Sequence, residues 1–182
     1  MVNQMDGRRK MLVFCSASNV IDRKYNQAAR ETIRAACSLG YSIVSGGTVK
    51  GTMGAVADEV VRCDWKHIGV LPRFMADVEY PSIDKTIWTD TMSVRKEKMR
   101  EGTCAAVALP GGIGTLEELV ETLTLAKLDK YHGKVIAFNM DGFYEPLKAL
   151  LDHYVATGMM DVHSRGLIAF PGTVGELVDM LR

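Results

Sequence analysis

The residues best equipped for chemistry are two cations, Arg95 and Lys96, two carboxylates, Glu117 and Glu118, and the glycine turn before the carboxylates, Pro110-Gly111-Gly112-Ile113-Gly114-Thr115. An apolar run, Ala105 to Leu109, leads into the turn, and a helical pattern of Leu116, Leu119, Val120 and Leu123 leads out. The stretch reads strand, turn, helix. Three glycines in four residues permit φ > 0 and let a ligand approach the main chain. Free N–H groups at a helix start, aided by the helix dipole, favour an anion, and phosphate is the natural guest. The turn is not a Walker A loop, because G-K-[ST] is absent. It also misses the dinucleotide fingerprint: Glu117 stands where the third glycine belongs and would repel a pyrophosphate.

Glu118 has two readings. Thr115-Leu-Glu-Glu118 has the form of a capping box, so Glu118 either reaches back to the N–H of Thr115 or takes part in chemistry. The helical period says only that it points away from the Leu119 face. Met92, Arg95, Lys96 and Met99 share one helical face, and the methionines mark that face as inward. Cations facing inward need anionic partners, a phosphate or the Glu117/Glu118 pair, unless they snorkel to the surface. Lys98 and Arg100 read as solvated charges. Gly46-Gly47-x-x-x-Gly51-x-x-Gly54 either walls a pocket or serves tight turns and helix packing. Ser16, Ser18 and Asn19, after the first strand, are placed to hydrogen-bond a ligand. Leu125 and Leu128 fall outside the main apolar stripe of their helix, as expected of a homodimer contact or a second layer of core. His67, His132, His153 and His163 show no ligand spacing.

The elements that must position these residues alternate along the chain. Apolar runs predict strands at 11–15, 41–45, 66–71, 105–109, 134–138 and 166–170. Helices are expected at 24–39, 52–63, 91–101, from the glycine turn to 130, at 143–155 and from Thr173 onward, with Pro72 to Asp90 a long loop, with or without a short helix. The pattern is α/β: a Rossmann-like doubly wound parallel sheet with helices on both faces, in one domain over 1–182 with 1–10 a loose tail. Ligands in such sheets bind beyond the carboxyl ends of the strands, where both glycine turns fall. With 22 basic and 22 acidic residues, the chain lacks the basic excess of a nucleic-acid surface. No stretch reaches the roughly 20 apolar residues of a membrane helix, and the run at Met11 is too short for a signal peptide. The four scattered cysteines suggest reduced core thiols in a cytoplasmic protein, with no metal site.

Two motifs carry a resemblance. Pro110-Gly-Gly-Ile-Gly-Thr-Leu-Glu-Glu118 matches P-G-G-x-G-T-x-x-E, and Met92-x-x-Arg95-Lys96 matches M-x-x-R-K. With Phe14-Cys15-Ser16, Met53-Gly54 and Asp141-Gly-Phe-Tyr144, over Met11 to Met160, the chain resembles the Lonely Guy family of cytokinin-activating phosphoribohydrolases. The resemblance implies a cofactor-free homodimer that cleaves the N-glycosidic bond of AMP or a cytokinin riboside 5′-monophosphate, giving free base and ribose 5-phosphate. It implies Arg95 and Glu118 as the catalytic pair. Lys96, Gly111, Gly112, Ile113, Gly114, Thr115, Glu117 and Thr124 would contact substrate, with Ser16 and Gly47 beside them. Two departures bear on base selectivity more than on the reaction. Ser16 stands where the family usually has glycine, and Phe74 follows Pro72-Arg73 where it often has an acid, leaving Asp77 or Glu79 to substitute. Members are often labelled lysine decarboxylases, but no lysine here suggests a pyridoxal-phosphate site. A non-hydrolytic nucleotide or molybdenum-cofactor carrier would use the same turn without needing Arg95 and Glu118 together. A nicotinamide dehydrogenase, with Asp141 as the ribose acid, fits poorly with Glu117.

Overall fold

The computed structural model describes residues 9–182. Most of the expected tail, 1–8, lies outside the described residues. Arg9 and Lys10 belong to the fold instead: Arg9 donates to the carbonyls of Leu181 and Leu39, and Lys10 opens the first strand.

Seven strands form one sheet: β1 Lys10–Phe14, β2 Ser42–Ser45, β3 His67–Pro72, β4 Lys85–Thr89, β5 Ala105–Ala108, β6 Lys134–Ala137 and β7 Ile168–Ala169. The order is β4-β3-β2-β1-β5-β6-β7, and every pair is parallel. The helices are α1 Arg23–Ser38, α2 Gly51–Arg62, α3 Met92–Arg100, α4 Ile113–Lys127, α5 Glu145–Ala156, α6 Val162–Gly166 and α7 Val174–Leu181. Alternate residues of each central strand face opposite layers. Met11, Val13, Val107 and Ile136 pack with Ile33 of α1, Val56 and Val60 of α2 and Leu177 of α7. Leu12, Phe14, Ala106 and Val135 pack with Met99 of α3, Leu119 and Leu123 of α4 and Leu151 of α5. This is the doubly wound Rossmann-like arrangement read from the strand–helix alternation.

Strand β4 and helix α6 were not legible as such. The expected loop 72–90 does hold a short helix, the 3-10 segment Arg73–Val78, but it also contains the edge strand β4. Thr86, Ile87, Trp88 and Thr89 are β-formers, but β4 is only half buried and lacks the continuous apolar run of its neighbours. Short α6 is set by Asp161, whose carboxylate accepts from the N–H and hydroxyl of Ser164 at 2.7 and 2.6 Å. It leaves β7 only two residues long. Helix ends follow the expected chemistry. Gly40 and Gly158 take left-handed φ just past α1 and α5, and Thr173 caps α7 by accepting from the N–H of Glu176.

Beneath the β2–α2 turn, His67 is fully buried, with Nε2 2.7 Å from Ser45 Oγ. Burial lowers its pKa from 6.5 to about 4, against the pull of Asp84. The neutral ring is the folded form, so its contribution to stability is full above the unfolded value of 6.5 and is lost as pH falls through about 4. At full extent that is roughly 3 kcal/mol. Urea unfolding of wild type and His67→Leu between pH 7 and pH 4 should show the wild type losing more stability over this window, and parallel losses would contradict it.

Candidate functional site

The chain leaves β1 for β2 on one side of the sheet and reaches β5 on the other, so the switch point lies at the C-terminal end of β1. A cleft of about 350 Å³ opens there, within the size range of small-molecule sites. Its floor is the segment from Phe14 to Ser18 after β1. One wall is the start of α4, with Gly112, Gly114, Thr115, Glu117 and Glu118; the other carries Gly46, Thr48 and Met53 after β2 and Met75 after β3. Arg95 and Met99 of α3 close the back.

Arg95 is held from three sides. Thr91 caps α3, accepting from the N–H of Val94 at 3.2 Å. The guanidinium Nε donates to the Val70 carbonyl at the end of β3, 2.9 Å away, and Nη1 donates to Glu118 Oε1 at 3.1 Å. The two side chains are 8% and 13% exposed. Burial pushes the Glu118 carboxyl above its ordinary value of 4.5, with Arg95 opposing that rise. Cys15, buried in the floor, is pushed up further by burial and by Glu118, so it remains a neutral thiol.

The capping reading of Glu118 does not hold. Helix α4 begins at Ile113 with Gly112 as its N-cap, so Thr115 lies inside the first turn and is no cap residue. Glu118 turns to Arg95. Among the described residues no side chain caps α4, as none caps α2 or α5, whereas Asp22, Thr91, Asp161 and Thr173 cap α1, α3, α6 and α7. The first N–H groups of a helix have no intrahelical partner, and the first turn of α4 lines the cleft.

The glycines of this turn work differently from expectation. None of Gly111, Gly112 and Gly114 has a left-handed φ. A Cβ on Gly111 would sit 2.2 Å from Thr115 Oγ1, while at Gly112 and Gly114 it would meet nothing within 4 Å. The last two are therefore compatible with close approach of a ligand to the main chain.

Lys96 belongs to a second charge ladder beside the cleft. Its ammonium bridges Glu117 and Glu121, and Arg100 Nη1 lies 2.9 Å from Glu121. The Glu117 contact raises the Lys96 pKa. Arg100, expected to be solvated, is only 11% exposed at its side chain. The sequence signal was present: cations at 96 and 100 face acids at 117 and 121, each pair one helical turn apart. Met92, expected to face inward, is instead 45% exposed at the cleft rim.

Other expected residues are distributed more widely. Ser16 and Ser18 line the cleft, Ser16 Oγ accepting from the Ser18 N–H. Asn19 accepts from Gly51 N–H at 2.8 Å and so secures α2 rather than the cleft. Gly111 faces an adjoining pocket of about 220 Å³ shared by Ser16, Ser18, Tyr25 and Phe143. Gly47, at φ +69°, packs against Leu71 and Gly69 behind the wall, and its neighbour Gly46 lines the cleft. Ile113 is exposed to solvent. Thr124 lies farther along α4, bonded to the Val120 carbonyl, in a separate apolar pocket between α4 and α5. Glu79 accepts from the Thr86 hydroxyl and Asp77 is exposed, and neither lines the cleft. Asp141 pairs with Lys24 at the surface. Cys104, expected in the core, is exposed. Of the two readings of the 46–54 segment, the pocket wall holds, through Gly46, Thr48 and Met53; Met75 was not foreseen, because only the folding of the β3 loop over β1 brings it there.

Comparison with known proteins places this geometry in a family. A family model described as "Possible lysine decarboxylase" matches residues 53–181. A cytokinin riboside 5′-monophosphate phosphoribohydrolase of Oryza sativa subsp. japonica is 33% identical, over 93% of this chain and 71% of its own length. One from Arabidopsis thaliana is 31% identical, over 95% and 82%. Among solved structures, the molybdenum cofactor carrier protein of Chlamydomonas reinhardtii superposes with a TM-score of 0.72 over 96% of both chains. At 19% identity that likeness concerns the fold alone. By the family model and by relatives matched over nearly its whole length, the chain belongs to the Lonely Guy family, that of the cytokinin riboside 5′-monophosphate phosphoribohydrolases.

Proposed function

We propose that the chain hydrolyses the N-glycosidic bond of a nucleoside 5′-monophosphate, AMP or a cytokinin riboside 5′-monophosphate, releasing the base and ribose 5-phosphate. The observation that carries this reading is the Arg95–Glu118 pair, 3.1 Å apart in the cleft beside the uncapped start of α4. In this reading the 5′-phosphate takes the N–H groups of the first turn of α4. The ribose then lies along α4 beside Glu118, one helical turn on. Departure of the base leaves an oxocarbenium-like ribose, as in glycoside cleavage. The Glu118 carboxylate stabilises that cation and orients the attacking water. Arg95 holds the carboxylate ionised against its burial. Lys96 offsets Glu117, whose charge would otherwise oppose the phosphate.

A carrier that binds a nucleotide without cleaving it would need the same turn but not a buried carboxylate–guanidinium pair. The reading extends to a cytoplasmic homodimer. Val120, Leu128, Leu150 and Tyr154 leave apolar surface exposed along α4 and α5, of the kind a second copy covers. The direct test is to incubate the protein with AMP and follow adenine by chromatography. Release by wild type that is lost in Glu118→Gln and Arg95→Ala supports the proposal; no release, or equal release from all three, overturns it.

Gly46 supplies a finer prediction. A Cβ there would lie 2.5 Å from Arg95 Nη2 and 2.8 Å from Met53 Sδ, and Arg95 cannot yield without leaving Val70 or Glu118. Gly46→Ala should lower kcat/KM for AMP roughly 10–100-fold by misplacing the pair, and should lower the melting temperature as well, because Arg95 must give up part of its hold on Val70 or Glu118. Unchanged kinetics would show that Arg95 tolerates displacement.

A further inference from the structure

The cleft is polar on one side and sulfur-rich on the other. On the α4 side stand the first-turn main chain, Thr115, Glu117 and Glu118; on the β2 and β3 side stand Gly46, Thr48, Met53 and Met75, with Met92 at the rim. No carboxylate or amide side chain among the described residues lines that second side. Its one hydroxyl, Thr48 Oγ1, is already committed: it donates to Met53 Sδ at 3.6 Å and accepts from the Lys50 N–H at 3.4 Å. Arg95 spends Nε on Val70 and Nη1 on Glu118, and its Nη2 lies packed against Gly46 and is the one charged donor at that wall among the described residues. The acids nearest in sequence, Asp77 and Glu79, do not line the cleft.

Taken with the proposed phosphate position on α4 and the reacting bond at Glu118, the base must project towards this thioether side. Resting on that reading, we infer that the site holds the base by dispersion against Met53, Met75 and Met92 and does not read its hydrogen-bonding edge. The ligand class is then nucleoside 5′-monophosphates with purine or pyrimidine bases, including bases that carry an apolar substituent. Methionine suits such a wall, because an unbranched, polarizable side chain repacks around different shapes and contacts aromatic rings favourably through sulfur.

The selectivity follows from the physics of these contacts. Contacts that sense size alone discriminate by roughly 10–200-fold, whereas a site that hydrogen-bonds a defined edge rejects the wrong partner by roughly 10⁴–10⁵-fold. AMP, GMP, CMP and UMP should be cleaved by wild type with kcat/KM values inside the lower range. The same four nucleotides should bind Glu118→Gln, measured by calorimetry, with dissociation constants spread no more widely. Met75→Ala should weaken all four together.

Comparable binding and cleavage of the four would support the inference. Comparable binding with no cleavage by wild type would keep the inference and remove the hydrolytic reading. A spread of about a thousandfold or more in either measurement would show that main-chain groups read the base edge, and would overturn the inference while leaving the reaction in place. Failure of all four to bind would overturn both.

Discussion

Arg95→Ala should cost about 3 kcal/mol of folding stability and abolish turnover. Removing one member of a buried ion pair typically costs 3–5 kcal/mol, about the sum of a lost attraction and a charge left buried alone. The lower end applies because Glu118 keeps 13% of its side-chain surface. Two losses coincide: Glu118 loses the cation that counters its burial, and the Val70 carbonyl loses its donor. Without the guanidinium, the Glu118 pKa rises further and less of it is ionised at neutral pH. The effect reads directly as a fall in the urea midpoint at unchanged m-value. A double variant, Arg95→Met with Glu118→Leu, separates stability from chemistry. Replacing a buried pair by apolar groups of similar size is often neutral or stabilising, so the double variant should regain most of the lost stability while releasing no adenine. If Arg95→Ala unfolded at the wild-type midpoint, the pair would be structurally idle and Arg95 free for another role.

What the sequence disclosed, and what it withheld, follows one physical line. Central strands are buried on both faces, so Met11 to Phe14 and Ala105 to Ala108 show as unbroken apolar runs. The helices show through their 3.6-residue period. The edge strand β4 escapes because its side chains are only half covered, which leaves no hydrophobic signal. The site divides in the same way. Arg95 could be read because an inward-facing cation needs a partner, and Glu118 because it follows the glycine turn at one helical spacing. Whether Glu118 capped its helix or met Arg95 depended on where α4 begins. Propensity does not fix that point to within the two residues that separate Ile113 from Thr115. The glycines of 46–54 signalled one half of the Met53–Met75 wall, but Met75 carried no local signal, since two loops from different strands meet only in the folded chain.

The other large effect is expected at Glu118 itself, with the opposite balance between stability and activity. Glu118→Gln keeps a carbonyl oxygen able to accept from Arg95 Nη1 and removes a charge whose burial outweighs its pairing. The sign follows from the raised pKa. A carboxyl whose folded pKa lies above its unfolded one contributes stability that is full below the unfolded value and is lost as pH rises through the folded value. Above the folded value the wild type has lost that contribution, so Glu118→Gln should be no less stable than wild type there, and the two should converge in acid. Activity moves the other way. Loss of a positioned acid–base group typically costs about 10²–10⁴ in rate, and that loss should fall on kcat, since the phosphate contacts on α4 are untouched and KM reports them. For wild type, kcat/KM should decline in acid with an apparent pKa above the ordinary 4.5 of a glutamate, displaced in the direction burial imposes. Steady-state adenine release from pH 4 to 8, beside urea midpoints over the same range, tests both halves. A variant that keeps its kcat would strip Glu118 of its chemical role, and one that unfolds at neutral pH would make the carboxylate a structural anchor for Arg95.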